Sequence, residues 1–193
     1  MPVAILTQFT PNPNAMKFIL NRDVKKYGKL TVRSAEEALN VAMIQELFEL
    51  GFVEQIHLFE NVVTVTKNDV VPWDEAADSI QDVLEECVEE HDPDFELEPQ
   101  ADVSPSPAIE RTPDILRIDE ILDQTVRPYL QGDGGDLEVV AYAQNRVVVS
   151  YEGACGTCPS AITGTLQAIQ SILREQLNPE IEVVAVGGAS FGP

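Results

Sequence analysis

The stretch "QGDGGDLEVVAYAQNRVVVSYEGACGTCPSA", residues 131–161, decides the fold of the second half of the chain and its chemistry. It opens with two glycines between Asp133 and Asp136, a composition suited to a tight turn that needs positive φ. "LEVVAYA" and "RVVVSYEG" then read as the two strands of a hairpin turning near Gln144-Asn145. Cys155 and Cys158 follow. Pro159 stands where the first turn of a helix tolerates a missing N–H. That helix is expected to reach about Gln176, with Ile162, Leu166, Ile169, Leu173 and Leu177 on one face. Pro179 ends it, and "IEVVAV" is a last strand. Upstream, a helix from about Asp114 to Leu130 turns Ile118, Ile121, Leu122 and Val126 inward. The expected order is α-β-β-α-β, a small α+β layer.

Working outward, "HDPDFELEPQADVSPSPAIERTPD", residues 91–114, carries five prolines and a run of acids. Prolines fix φ and remove donors, and like charges repel, so an extended acidic, Pro-rich linker is expected over 92–113. It divides the chain into two small α+β domains, residues 1–91 and 114–193, each large enough for its own core. In the first, "PVAILTQFT" and "MKFIL" read as strands on either side of the turn-rich "PNPN". Residues 34–50 read as one helix, with Ser34 and Glu37 as a capping box and Leu39, Met43, Leu47 and Leu50 as its apolar stripe. "VEQIHLFENVVTVTK" reads as a hairpin turning at Glu60-Asn61, and Asp74 to Glu90 as a second amphipathic helix.

Bulk properties exclude several functions. The 44% hydrophobic content suits a globular protein, and no run approaches the length of a membrane span. The N-terminal "MPVAILTQFTPNPNAMKF" has neither the basic start nor the apolar core of a secretory signal, so a cytoplasmic protein is expected. Thirty-three acidic residues against 12 basic ones leave a net charge of −21. That argues against nucleic acid, whose phosphates call for clustered Lys and Arg. Three cysteines are too few for a disulfide framework.

Cys155 and Cys158 therefore carry the chemistry. Set at a helix start, they should be partly exposed, low-pKa thiolates, because the positive helix end favours thiolate over thiol. Gly153 and Gly156 keep side chains away from them. A thioredoxin-like redox pair is one reading, but that fold needs a larger sheet than this block supplies, and Ala154 stands where an aromatic residue commonly precedes the motif. Structural zinc wants four ligands, and His57 and His91 both lie before the linker. An iron–sulfur cluster also wants four thiolates, twice what one chain offers. A symmetric dimer doubles the count. Spacing alone leaves zinc and iron both open.

"IDEILDQTVRPYLQGDGGDLEVV" followed by "GACGTCPSA" resembles the C-terminal domain of the NifU family, whose pattern couples a DGGD loop to G-x-C-x-x-C-P-S. "TPNPNAMKFIL" and "VTVTKNDVVPWDEAADSIQDVL" resemble the N-terminal domain of Nfu proteins. The resemblance covers most of the chain outside the linker. It implies a scaffold or carrier, not an enzyme, that holds a 4Fe–4S cluster between the two subunits of a homodimer. Cys155 and Cys158 would be its ligands by motif match. Partners would be upstream cluster donors and apo iron–sulfur proteins, with the N-terminal domain helping to recognise targets. A CxxC dithiol-disulfide oxidoreductase is the alternative.

The remaining candidates read more plainly. Cys87 falls on the apolar stripe of its helix and behaves as a small hydrophobe. His57 is expected to face away from the inward residues of its strand. Arg22, Lys25, Lys26, Lys29 and Arg33 form the one basic concentration, read as a solvated loop, with docking of an acidic protein as the alternative. The Asp133–Asp136 loop is read as a turn shaping the surface near the cluster, since a hard-cation site wants six or more oxygens. Trp73 is read as a packing anchor.

Overall fold

The computed structural model describes residues 3–97, 111–156 and 159–186, with the side chains of 159–163 excepted. The chain is α+β and divides into two compact units.

The N-terminal unit is built on a five-stranded antiparallel sheet of β1 (Ile5–Phe9), β2 (Ala15–Leu20), β3 (Lys25–Val32), β4 (Val53–Glu60) and β5 (Val62–Lys67), in the order β1-β2-β5-β4-β3. The "PNPN" turn is closed locally: Thr10 Oγ1 donates to the carbonyls of Asn12 and Ala15, and Asn12 Oδ1 accepts from Asn14 N–H. Helices α1 (Ala42–Glu49) and α2 (Trp73–Cys87) complete the core. Ile44 and Leu47 of α1 and Ile80 and Leu84 of α2 join Phe18, Ile56, Leu58, Val63 and Val65 in one buried cluster. Each such side chain contributes roughly 1.5–3 kcal/mol through its removal from water. Trp73 anchors the start of α2 as expected: its indole N–H donates to the Pro13 carbonyl at 2.8 Å, and Lys67 Nζ lies 5.0 Å from its ring centroid.

Several expectations for this unit are corrected. Residues 34–50 are a 3-10 turn at Ala35–Ala38 and then α1, because Val41 is extended (φ −121°, ψ 95°). The Ser34 side chain caps nothing, and Leu39, at 69% exposure, leaves the core. Gln45 holds the break together by donating to the carbonyls of Ala35 and Ala38, which a continuous helix would have satisfied itself. The basic loop is in fact the edge strand β3, bulged between Lys25 and Lys29. His57 does point away from the helices, yet it is 3% exposed, with Nδ1 2.8 Å from Thr31 Oγ1. It shares that sheet face with Lys17, Gln55, Thr64 and Thr66, all buried.

Residues 92–97 of the expected linker lie against this unit. Lys26 pairs with Asp94 at 3.1 Å, Lys25 Nζ donates to the Phe95 carbonyl at 2.7 Å, and Phe95 and Leu97 pack on the core. The rest of the expected linker, residues 98–110, lies outside the described residues.

The C-terminal unit runs α3 (Pro113–Thr125), α4 (Arg127–Gly132), β6 (Gly135–Ala143), β7 (Arg146–Gly153), α5 (Pro159–Gln176) and β8 (Glu182–Ala185). Thr112 caps α3 by accepting from Ile115 N–H. The single helix expected over 114–130 breaks at Val126, because Pro128 has no N–H to continue the ladder. The sheet order is β6-β7-β8, with β6 and β7 antiparallel and β8 parallel to β7 across α5. The hairpin turns at Gln144 (φ 51°) and Asn145 (φ 62°), the left-handed pair that a two-residue hairpin turn requires. Ile118, Leu122, Leu137, Val139, Val147, Val149, Ile169 and Leu173 fill the core.

Candidate metal centre

Cys155 leaves β7 on a short turn closed by Gly156 N–H donating to the Gly153 carbonyl at 3.1 Å. The pairing of β6 with β7 sets Gly135 directly across from Gly153. Ala154 N–H then donates to the Gly134 carbonyl at 3.1 Å, fastening the loop to the DGGD turn. Gly134, at φ 80°, makes that turn. Gly135 has a different job. A Cβ there would stand 2.6 Å from Cys155 Sγ and 2.7 Å from the Glu152 carbonyl oxygen, so only glycine allows the sulfur to lie against the turn. On the other side, a Cβ on Gly156 would stand 2.9 Å from the Tyr151 carbonyl oxygen.

Cys155 is 5% exposed, so it is more buried than the partly exposed thiol expected from sequence. Cys158 lies outside the described residues, and α5 begins at Pro159 directly after it. Among the described residues, no group of three His, Cys, Asp or Glu side chains is placed to hold a metal ion. The DGGD carboxylates diverge: Asp133 is exposed, whereas Asp136 is 2% exposed and turns into the unit.

The partners of Asp136 include three that the sequence reading did not single out. Its Oδ1 accepts from Leu137 N–H at 2.6 Å and lies 3.6 Å from Arg127 Nε, and its Oδ2 accepts from Gln131 Nε2 at 3.3 Å. Arg127 also pairs with Asp119 at 2.6 Å and with Asp123. Burial works against its charge, but the hydrogen bonds to Asp123 and Asp119 outweigh that and hold the guanidinium above its ordinary pKa. The DGGD turn that touches Cys155 is thus anchored from behind by an ion network that runs from the buried Asp136 out to the exposed Asp123. Arg127 could have been suspected from its place among acids in "DEILDQTVRPYLQGDGGD", whereas its contact with Asp136 needs the fold.

Tyr151 was also missed, although the period-2 pattern through Val147 and Val149 puts it on the inward face of β7. It is 6% exposed, and among the described residues its hydroxyl has no hydrogen-bond partner. Burial pushes the phenol above its ordinary pKa, and the charge of Cys155 adds to the shift.

The thiol of Cys155 is thus seated on a loop whose two flanking contacts, at Gly135 and Gly156, only glycine can make. The other candidates stand apart from that chemistry. Cys87 is half-buried, and its thiol donates to Glu46 Oε2 at 3.2 Å. Burial first, and Glu46 next, push its pKa up to about 12. His57 is engaged with Thr31 within the N-terminal unit.

Comparison with known proteins agrees with this layout. Residues 118–184 match the NifU-like domain, and residues 5–91 match the N-terminal domain of the scaffold protein Nfu/NifU. The human protein named NFU1 iron-sulfur cluster scaffold homolog, mitochondrial, is 29% identical over 188 residues, which cover 93% of this chain and 70% of the human one. An Arabidopsis thaliana relative named NifU-like protein 5, mitochondrial, is 30% identical over 173 residues, or 88% of this chain and 62% of that one. The solution structure of a NifU-like protein from Saccharomyces cerevisiae, 21% identical, covers 46% of this chain and 81% of its own with a TM-score of 0.41. The names of the human and Arabidopsis relatives overturn the expected cytoplasmic location and point to mitochondria. That expectation rested on residues 1–18, and the composition of that segment does not report a compartment. No described helix is long and apolar enough to cross a membrane.

Proposed function

We propose that this chain, which belongs to the family of Nfu-type scaffold proteins with an Nfu N-terminal domain and a NifU-like domain, carries a 4Fe–4S cluster as cargo between two subunits and passes it to apo-proteins. Cys155 and Cys158 of each subunit supply the four thiolates that such a cluster requires. A twofold axis brings the two half-sites together, since it meets the same surface patch twice. The role is that of a scaffold and carrier rather than of an enzyme that turns over. Release proceeds by thiolate exchange: sulfurs of the apo-target replace those of Cys155 and Cys158 one at a time.

One observation carries the reading. Gly135 lets Cys155 Sγ seat directly against the DGGD turn, where any other side chain would displace it, so the turn and the CxxC loop are built around the sulfur. The relatives' names as iron–sulfur scaffolds support the same class. The N-terminal unit, which has a core of its own, is free to recognise targets while the cluster domain reaches them, because tethering raises the local concentration of one at the other.

The test is anaerobic reconstitution with iron and sulfide, followed by iron, sulfide and zinc content per chain and the oligomeric state. One cluster per pair of chains, lost when Cys155 or Cys158 becomes serine, is the expected result. A colourless protein that reduces disulfides would assign the pair to dithiol chemistry, and stoichiometric zinc would make it a structural bridge.

A further inference from the structure

Tyr151 poses a question that the cluster ligands alone do not answer. Its ring fills the core of the C-terminal unit beside Val149, Leu137 and Cys155, a slot in which phenylalanine would serve equally well. The chain instead buries a hydroxyl there that has no hydrogen-bond partner among the described residues, which costs free energy unless something supplies an acceptor. The loop leading to Cys155 folds back over Tyr151 through the Gly153–Gly156 turn, so close that Gly156 has no room for a side chain above the Tyr151 carbonyl. Cys155 Sγ packs on Gly135, whose pairing with Gly153 lies one step along the same inward face from the pairing of Leu137 with Tyr151, so the sulfur and the Tyr151 side chain share that face of the β6–β7 hairpin.

Resting on the cluster reading above, we infer that the Tyr151 hydroxyl is a hydrogen-bond donor held in reserve for sulfur: it donates to the Cys155 thiolate or to a cluster sulfide once the half-site is loaded. A phenol is a donor with one proton to give, and a cluster-bound sulfur carries negative charge and spare lone pairs. The hydrogen bond exists only in the loaded form and is given up when the cargo leaves, so Tyr151 sets how firmly the cargo is held before exchange. Hydrogen bonds to ligand sulfurs are an established lever on cluster properties. The device also accounts for the orphan: the apo form bears an unsatisfied donor that the loaded form satisfies.

Tyr151→Phe removes the hydroxyl and keeps the ring. Its two readouts are the melting temperature of the apo protein and the rate at which the loaded protein loses its cluster to an iron chelator. The expected pair has opposite signs. The apo variant melts at a temperature equal to or above that of the parent, because no acceptor is left waiting. The loaded variant loses its cluster about tenfold faster, the equivalent of about 1.4 kcal/mol. In the parent, iron–sulfur vibrational bands shift in deuterated water, and in the variant that shift shrinks. A lower apo melting temperature or an unchanged rate of loss overturns the inference. Cys155→Ser, run alongside, tests the site itself: if that variant reconstitutes as fully as the parent, the cluster reading fails, independently of what Tyr151 does.

Discussion

Gly135 and Cys155 are in contact across the β6–β7 ladder so tightly that a single methyl group on the glycine would stand 2.6 Å from the sulfur and 2.9 Å from its Cβ. The backbone oxygen of Glu152 closes the same space from below at 2.7 Å. Neither can yield without moving the loop. Gly135→Ala is therefore expected to cost about 1–3 kcal/mol, the usual penalty of overpacking, and to displace Cys155. Denaturant unfolding checks the first effect, and iron bound after reconstitution checks the second. Gly164→Ala is the control: it lies within α5, where an added Cβ meets nothing within 4 Å, and it should stabilise by about 0.5–1 kcal/mol.

Arg127 holds the turn from the opposite side. Replacing it with methionine leaves Asp136, which is nearly fully buried, without the guanidinium beside it. A loss of about 1–3 kcal/mol is expected, the scale for taking one partner from a buried polar group that keeps its other hydrogen bonds. Lysine should rescue little of this, because it cannot span Asp119, Asp123 and Asp136 as a planar fork does. Urea midpoints of the two variants, compared with that of Arg111→Met on the exposed part of the same network, test the ranking.

Cys87 gives a pH signature. Burial and then Glu46 raise its folded-state pKa to about 12 from an ordinary value of 9.0. Below pH 9 the thiol is protonated in both folded and unfolded chains, so its contribution to stability is fully present. As pH rises between those two values the unfolded chain gives up the proton first, and stability is lost. Cys87→Ala should flatten the fall of stability over that interval. The same burial makes Cys87 slow to alkylate at pH 8 in the folded protein and fast in denaturant, which mass spectrometry of the labelled peptide reads directly.

Truncation separates recognition from binding. Residues 92–97 belong physically to the N-terminal unit through Lys25, Lys26 and Phe95, so a clean deletion ends at residue 97 rather than at 91. The remaining protein is expected to take up a cluster as readily as the whole chain and to deliver it more slowly to particular apo-proteins. Equal delivery rates would remove the docking role.

Much of this was legible because the second half of the chain obeys local rules. Alternation through Val147, Val149 and Tyr151, two left-handed turn residues and a periodic stripe through Ile169 and Leu173 specify hairpin and helix without reference to the rest. The failures come from non-local contacts. β3 hides its strand character because its lysines blunt a sheet edge and Gly28 (φ 69°) lies in its bulge, both features that resemble a loop in sequence. The break in the 34–50 helix depends on Gln45 reaching back to Ala35 and Ala38. Residues 92–97 look like linker by composition and are held by side chains some 70 residues earlier. At the site, the motif singled out Cys155 and Cys158, whereas the contact of Arg127 with Asp136 and the burial of Tyr151 show only once β6, β7 and α4 are brought together.

The central claim is that each chain contributes half of a coordination sphere. Native mass spectrometry of the anaerobically reconstituted protein tests it most directly, because it weighs the assembly and its iron and sulfide together. The account predicts a dimer carrying one 4Fe–4S cluster, which disappears on Cys155→Ser or Cys158→Ser. A monomer retaining its metal, or a dimer whose cluster survives loss of both thiols, would contradict it.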